Sequence, residues 1–396
     1  MVSILDTTLR EGEQTPGVYF SEHVKLAIAH QLNKVGVKFI EAGHPFVGQE
    51  IYDAVKHLAQ QPFNSLVGAH SRSLRKDVDL ALECGVKFLG VFYCVSDERL
   101  QSVFNTNLNS AINQIVDVIA YAKEQNPNLI IRFTPEDTVR SNFQNVIDAA
   151  VASVQAGADI ISVADTTGFM VPRSENNMYD FVKRLKDTLA SYDVYPSIAV
   201  HCHNDRGLAL ANALDGYLAS AEIIDASVLG LGERAGIVDL ASLIAMLSQL
   251  KSDHNFGDLK QLVPLYQMVS KFAQIPIPVN FPITGQNAFR HCAGVHTHAA
   301  QVNPLHYQSL DPAPFGRQME ITLDHMSGIS SLKYALCEIG VEDLDKELMN
   351  EVLSRVKHIG RTGRFVELDE LAMIVHWVKE KQKTEQSTRK VVNFES

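Results

Sequence analysis

Short runs of apolar and β-branched residues recur along the first 230 positions: Val2–Leu5, Val37–Ile40, Ser65–Gly68, Phe88–Cys94, Leu129–Phe133, Ile160–Ala164, Ile198–Val200 and Ile223–Val228. Each is short enough for a buried strand. Most are separated by stretches whose apolar positions repeat with helical spacing, as in Ser21–Lys34, Leu74–Glu83, Asn142–Gln155, Asn177–Ala190, Leu208–Ala219 and Ile237–Leu250. That spacing predicts helices with one face turned to a core. Several of these stretches end at a glycine, as in NKVG, LECG and VQAG, a common way to stop a helix. Strand–helix alternation implies right-handed crossovers and a parallel sheet. Eight such units in about 250 residues predict an α/β fold, a closed (β/α)8 TIM barrel. No G-x-G-x-x-G follows the first run, which weighs against an open dinucleotide-binding sheet.

From Ser252 the pattern changes. The segment HNFGDLKQLVPLYQMVSKFAQIPIPVNFPITGQNAF carries several prolines and reads as a helix and linker leaving the barrel, and a histidine-rich stretch, RHCAGVHTHAAQVNPLHY, follows. Helical spacing returns at Ser330–Glu338, Leu344–His358 and Leu368–Lys379, and the polar end KTEQSTRKVVNFES is expected to fray. The chain therefore divides into a barrel over 1–255, a linker or lid over 256–310, and a small helical appendage over 311–396.

Composition narrows the class. With 46% hydrophobic and 20% charged residues the chain can build a large core. A formal charge of −11 argues against nucleic acid or an anionic membrane as the main partner. No apolar run reaches the roughly 18 residues that a membrane span needs, and the start, MVSILDTTLREGEQ, lacks a signal-peptide pattern. Five scattered cysteines without a C-x-x-C pair read as a reduced, cytoplasmic protein.

The chemistry lies where polar residues close the strand runs, the end of a barrel that carries active sites. Asp6, Glu41, His70, Arg132, Asp165, His201 and His203 all fall there. In HCHND, His201 and His203 are two apart on a strand, so both imidazoles face one side and can meet one ion. Imidazoles with a carboxylate suit zinc, manganese or iron, and an oxygen-rich remainder admits magnesium. In DTTLREGEQ, Asp6 or Glu11 can ligate that ion, and Arg10 can stabilise an oxyanion. In RFTPED, Arg132 and Thr134 share a face with Glu136 beyond. An arginine in a barrel mouth needs an anion: a substrate carboxylate, or an internal partner such as Glu41 or Asp165. GLGERAG after the eighth run is a flexible loop able to approach a ligand closely. His296 in GVHTHA is a general acid–base candidate, or one of a surface histidine cluster.

Taken in order, LDTTLREGEQTPGV, PEDTVRS, ADTTG, HCHND, LGLGERAG, ITGQNAF and AGVHTHA resemble the motifs of the acetyl-CoA-dependent condensing enzymes, the homocitrate synthase and 2-isopropylmalate synthase family, from residue 3 to about 380. The resemblance implies a Claisen condensation of acetyl-CoA with a 2-oxo acid on a divalent ion (Mg, Mn or Zn), in a homodimer whose appendage completes the partner's active site. It implies Glu11, His201 and His203 as metal ligands, with Asp6 as a further candidate. Arg10, Glu136, His296 and Tyr307 are the implied catalytic residues, with Arg10, His70, Arg132, Thr134 and Thr166 at the oxo acid. Arg132 and Ile237 are similar to the homocitrate branch, whose arginine meets the distal carboxylate of 2-oxoglutarate. Oxaloacetate, phosphonopyruvate, pyruvate and 2-oxoisovalerate stay open as acceptors. An acyl-CoA lyase is disfavoured because GLGERAG carries no cysteine, and a non-catalytic metal- or metabolite-binding barrel because the whole catalytic set is present.

Overall fold

Eight parallel strands close on themselves in chain order: β1 (Ser3–Asp6), β2 (Phe39–Glu41), β3 (Leu66–Arg72), β4 (Phe88–Cys94), β5 (Ile130–Glu136), β6 (Ile160–Asp165), β7 (Ser197–Cys202) and β8 (Ile223–Ala226). The last strand pairs with the first, with Leu5 opposite Asp225. The computed structural model of the protein describes residues 2–250, 256–292, 296, 299, 302–341 and 343–392. This is the expected (β/α)8 barrel. Most strands run one to four residues further toward the carboxyl end than their apolar runs. Among the added residues, Glu41, His70 and Glu136 line a polar mouth, so hydrophobicity could not mark them.

Leu5, Phe39, Phe88, Ile160, Ala199 and Ile223 pack inside the barrel below that mouth. Gly68 makes room for them, because a Cβ there would lie 2.2 Å from the Phe88 ring. Outside the strands run α1 (Glu22–Val35), α2 (Gln49–Ala59), α3 (Arg75–Glu83), α4 (Asp97–Ser102), α5 (Leu108–Gln125), α6 (Phe143–Gln155), α7 (Met178–Ser191), α8 (Ala209–Leu218), α9 (Leu240–Gln249) and α10 (Leu262–Ala273). Helix α1 ends at Gly36, left-handed at φ 90°, whose N–H caps the Leu32 carbonyl.

The barrel unit extends past residue 255, to Ile277, and also takes in Pro282–Thr284. The reason is α10. Its buried Tyr266 donates to Asp239 Oδ1 (2.6 Å) and accepts from the Ala241 N–H (2.6 Å), tying α10 to the start of α9.

The second unit comprises Pro278–Phe281 and the chain from Gly285 on. It contains a two-stranded parallel pair, β9 (Arg290–His291) and β10 (Glu320–Ile321), and helices α11 (Ile329–Glu338), α12 (Lys346–Gly360) and α13 (Leu368–Val392). Leu323, Leu332, Leu336, Val352, Val356, Val366, Leu371 and Val375 form its core. Helix α13 continues to Val392, through a stretch rich in Lys, Glu and Gln and free of Gly and Pro, and the last residues of the expected frayed end lie outside the described residues.

Candidate active site and metal centre

The loop that leaves β1 folds back at once: Glu11 N–H bonds to the Thr7 carbonyl at 2.7 Å. That turn brings the Glu11 carboxylate to the two histidines at the end of β7. One ligand atom each from Glu11, His201 and His203 lies within 4.8 Å of the others, and all three residues are buried. The Nε2 atoms of His201 and His203 face each other at 3.2 Å. His201 Nδ1 is engaged by Asp225 Oδ2 at 2.9 Å, while the buried His203 Nδ1 has no partner among the described residues. A carboxylate and two imidazoles converging on one point fit a divalent cation.

The electrostatics agree. Burial alone would raise the pKa of Glu11, but Arg10, His201 and His203 hold it below its ordinary value. Burial, helped by His201, pushes His203 down to about 4, so its imidazole is neutral and available as a ligand. Asp6 stands apart from this group of three. Its wholly buried carboxylate accepts from Thr8 N–H (2.9 Å) and Thr8 Oγ1 (3.1 Å), and burial lifts it to about 7.

Glu41, at the end of β2, organises the opposite wall. Arg10 Nε donates to its Oε2 at 2.7 Å, Thr7 Oγ1 donates to the same oxygen at 2.7 Å, and His70 Nδ1 lies 3.0 Å from Oε1. Burial opposes ionisation there, yet Arg10 and His70 hold the Glu41 carboxyl well below its usual range. Arg10 also donates to Glu11, so the guanidinium is clamped between two carboxylates beside the ligand set. His70 stacks on Phe92, with ring centroids 4.7 Å apart at 11°.

Arg132 is buried and does have an internal partner, though not Glu41 or Asp165. Its fork grips Asp225 on the adjoining wall, Nη1 to Oδ1 at 2.8 Å and Nη2 to Oδ2 at 2.6 Å, and Nη2 also donates to Ser162 Oγ at 2.6 Å. Its Nε is buried without a partner. Asp165 instead accepts the Phe169 and Met170 N–H groups (2.6 and 3.1 Å). Arg99 Nη2 holds Glu136 Oε1 at 2.9 Å, and Thr166 Oγ1 accepts from the Asp137 N–H at 3.0 Å. The GLGERAG loop does approach closely: Glu233 N–H points to Glu11 Oε1 at 3.3 Å, and Arg234 donates to Asp205 and to the Thr166 carbonyl.

One cavity of about 360 Å³ is lined by Arg10, Glu11, His70, Arg132, Thr134, Glu136, Thr166, His201 and His203. Of the barrel residues singled out for the site, all but Asp6 and Asp165 therefore meet in one place. His296 and Tyr307 belong to the second unit, where their rings stack at 4.2 Å and 29°. Two residues escaped the sequence reading. Asp225 sits inside an apolar run, and Lys25 lies in a helical repeat that reads as surface. Lys25 is wholly buried; its ammonium donates to Leu9 O (2.8 Å), Ala42 O (3.0 Å) and Glu13 Oε2 (2.6 Å), bracing the backbone next to Arg10 and Glu41.

Residues 1–269 match the HMGL-like family model. The chain belongs to the HMGL-like family. Residues 283–364 match a second model, described as homocitrate synthase post-HMGL domain-like. Among curated relatives, a homocitrate synthase of Pyrococcus horikoshii is 41% identical, covering 89% of this chain and 94% of its own. One from Methanocaldococcus jannaschii is 38% identical over 96% and 92%. Among solved structures, a Bacillus subtilis HMG-CoA lyase superposes with a TM-score of 0.59 at 22% identity, over 70% of this chain and 95% of that one. That likeness speaks for the barrel fold. No helix among the described residues is long and apolar enough to cross a membrane.

Proposed function

We propose that this HMGL-like chain condenses acetyl-CoA with a 2-oxo dicarboxylic acid, foremost 2-oxoglutarate, and that water then hydrolyses the thioester to give homocitrate and free CoA. The observation that carries the reading is one cavity lined by Glu11, His201 and His203, which converge on one point, and by the buried Arg132 and the half-buried His70. The kinship with homocitrate synthases adds to it. A divalent cation held by Glu11, His201 and His203 supplies Lewis acidity toward a ketone oxygen. Arg10, kept cationic between Glu11 and Glu41, offsets negative charge that develops on that oxygen. Thr166 meets the carboxylate next to the ketone, while Arg132, His70 and Thr134 receive the distal one. Asp225 and Ser162 already hold the two Nη groups of Arg132, so an apolar oxo acid would leave its buried Nε–H unanswered, at a cost of about 1–3 kcal/mol. Glu136 exchanges a proton with the acetyl methyl.

His296 and Tyr307 complete the proton traffic from the second unit. The functional molecule is a homodimer in which residues 256–310 lead this pair of one copy to the active site of the other.

The test is CoA release from acetyl-CoA across a panel of 2-oxo acids, with and without chelator. A chelator-sensitive preference for 2-oxoglutarate is expected. Arg132→Ala should then lower kcat/KM for 2-oxoglutarate on the order of 100-fold, and far more than for 2-oxoisovalerate. A wild-type preference for 2-oxoisovalerate or pyruvate would keep the reaction and overturn the carboxylate pocket. No CoA release with any acid would overturn the condensation itself.

A further inference from the structure

Asp225 lies within β8, wholly buried, and is shared by two side chains with different tasks. Its Oδ1 accepts from Arg132 Nη1, and its Oδ2 accepts from both Arg132 Nη2 (2.6 Å) and His201 Nδ1 (2.9 Å). A carboxylate on Nδ1 fixes the imidazole tautomer, so the lone pair of His201 sits on Nε2, the atom that faces His203. The same carboxylate takes the end-on fork of Arg132 and, with Ser162 Oγ, leaves that guanidinium one orientation. A buried Arg–Asp pair is no gain over apolar packing by itself. The third bond, to a metal-ligand histidine, is what a purely structural pair would not need.

We infer that Asp225 is a positioning residue that serves metal binding and oxo-acid recognition at once, orienting His201 toward the cation and Arg132 toward the distal carboxylate. The inference rests on the roles proposed above for those two residues. Its consequence is that a single isosteric change, Asp225→Asn, weakens two affinities that separate residues would otherwise govern. Ser162→Ala, which loosens Arg132 alone, weakens only one.

Cobalt(II) is a convenient probe, since its visible absorption reports an imidazole–carboxylate site directly. Protein stripped of metal is titrated with Co²⁺ as wild type, Asp225→Asn, Ser162→Ala and His201→Ala, and KM for 2-oxoglutarate is measured at saturating metal. Asp225→Asn is expected to weaken Co²⁺ binding about 10- to 100-fold and to raise KM for 2-oxoglutarate. Ser162→Ala should raise KM while leaving Co²⁺ affinity within about twofold. An Asp225→Asn protein that binds Co²⁺ as tightly as wild type would overturn the inference with the metal site intact. Failure of the underlying reading looks different: His201→Ala would then bind Co²⁺ as well as wild type does, and both would fall.

A measurement on the unmodified sequence does not depend on any variant folding. In metal-free protein labelled with ¹⁵N-histidine, the His201 proton is expected on Nδ1. An Nε2–H tautomer would sink the proposed orientation.

Discussion

The barrel mouth and the second unit hold their functional groups in opposite ways. In the mouth, Arg10, Glu11, Glu41, Arg132 and Asp225 are almost entirely enclosed, and each is held by at least one named side chain of the same unit. His296 and Tyr307 are exposed, 46% for the tyrosine, and stack on each other. A buried network fixes charges before a substrate arrives, which is what electrostatic catalysis requires. The exposed His–Tyr pair has no such enclosure among the described residues. The contrast teaches that one half of the proposed chemistry is built into the barrel mouth, while the proposed dimer is what would enclose the other half.

The largest break in this comparison is His201→Ala. It removes a ligand from the enclosed half, and metal binding and turnover are expected to vanish together, as judged by metal content after dialysis and by CoA release. Full activity with stoichiometric metal would contradict the ligand assignment. Next comes His296→Ala, which strikes the exposed half. Turnover should fall about 10²- to 10⁴-fold, the usual worth of a general acid or base, with metal content unchanged. Mixing the two inactive variants sharpens the point. If the halves belong to different copies, mixed dimers regain a fraction of wild-type activity; if both act within one copy, the mixture stays dead.

The smallest effect on turnover belongs to Asp6→Asn, because Asp6 lies outside the cluster of Glu11, His201 and His203. Its interest is in stability. Burial lifts the folded pKa from 3.8 to about 7, so the native state holds this proton more tightly than the unfolded chain does. Stability of the metal-free wild type should therefore decline as pH rises from about 4 to about 7, by at most about 4 kcal/mol from this group. The Asn variant should lack that component in urea unfolding. Equal slopes for the two proteins would mean that Asp6 is ionised in the native state.

The barrel and most of its site were legible in the sequence because both depend on short-range pattern. Apolar runs mark strand cores, and HCHND carries its geometry in a spacing of two. Asp225 was illegible for a physical reason. In IIDAS it is a single charge in a buried strand, and its partners, His201 and Arg132, stand 24 and 93 positions earlier. Only closure of the sheet reveals what neutralises it. Lys25 was hidden in the same way, since helical spacing says which face a residue occupies but not that two loops fold over its end. The expected internal partners of Arg132, Glu41 and Asp165, were reasonable by strand position. Thr7, Arg10 and His70 occupy the first, and the N–H groups of Phe169 and Met170 the second. The helix α10 was legible in its proline-bearing segment, but its docking through Tyr266 was not, since the partners Asp239 and Ala241 come together only in the fold.

The pairing of β8 with β1 has a consequence for the order of events during synthesis. Glu11 emerges from the ribosome some 190 residues before His201, and the first strand has one open edge until residues 223–226 arrive to cover it. The metal ligands can therefore assemble only as the ring shuts, and a cation captured there would act as a clasp on a finished barrel, absent from every shorter nascent chain.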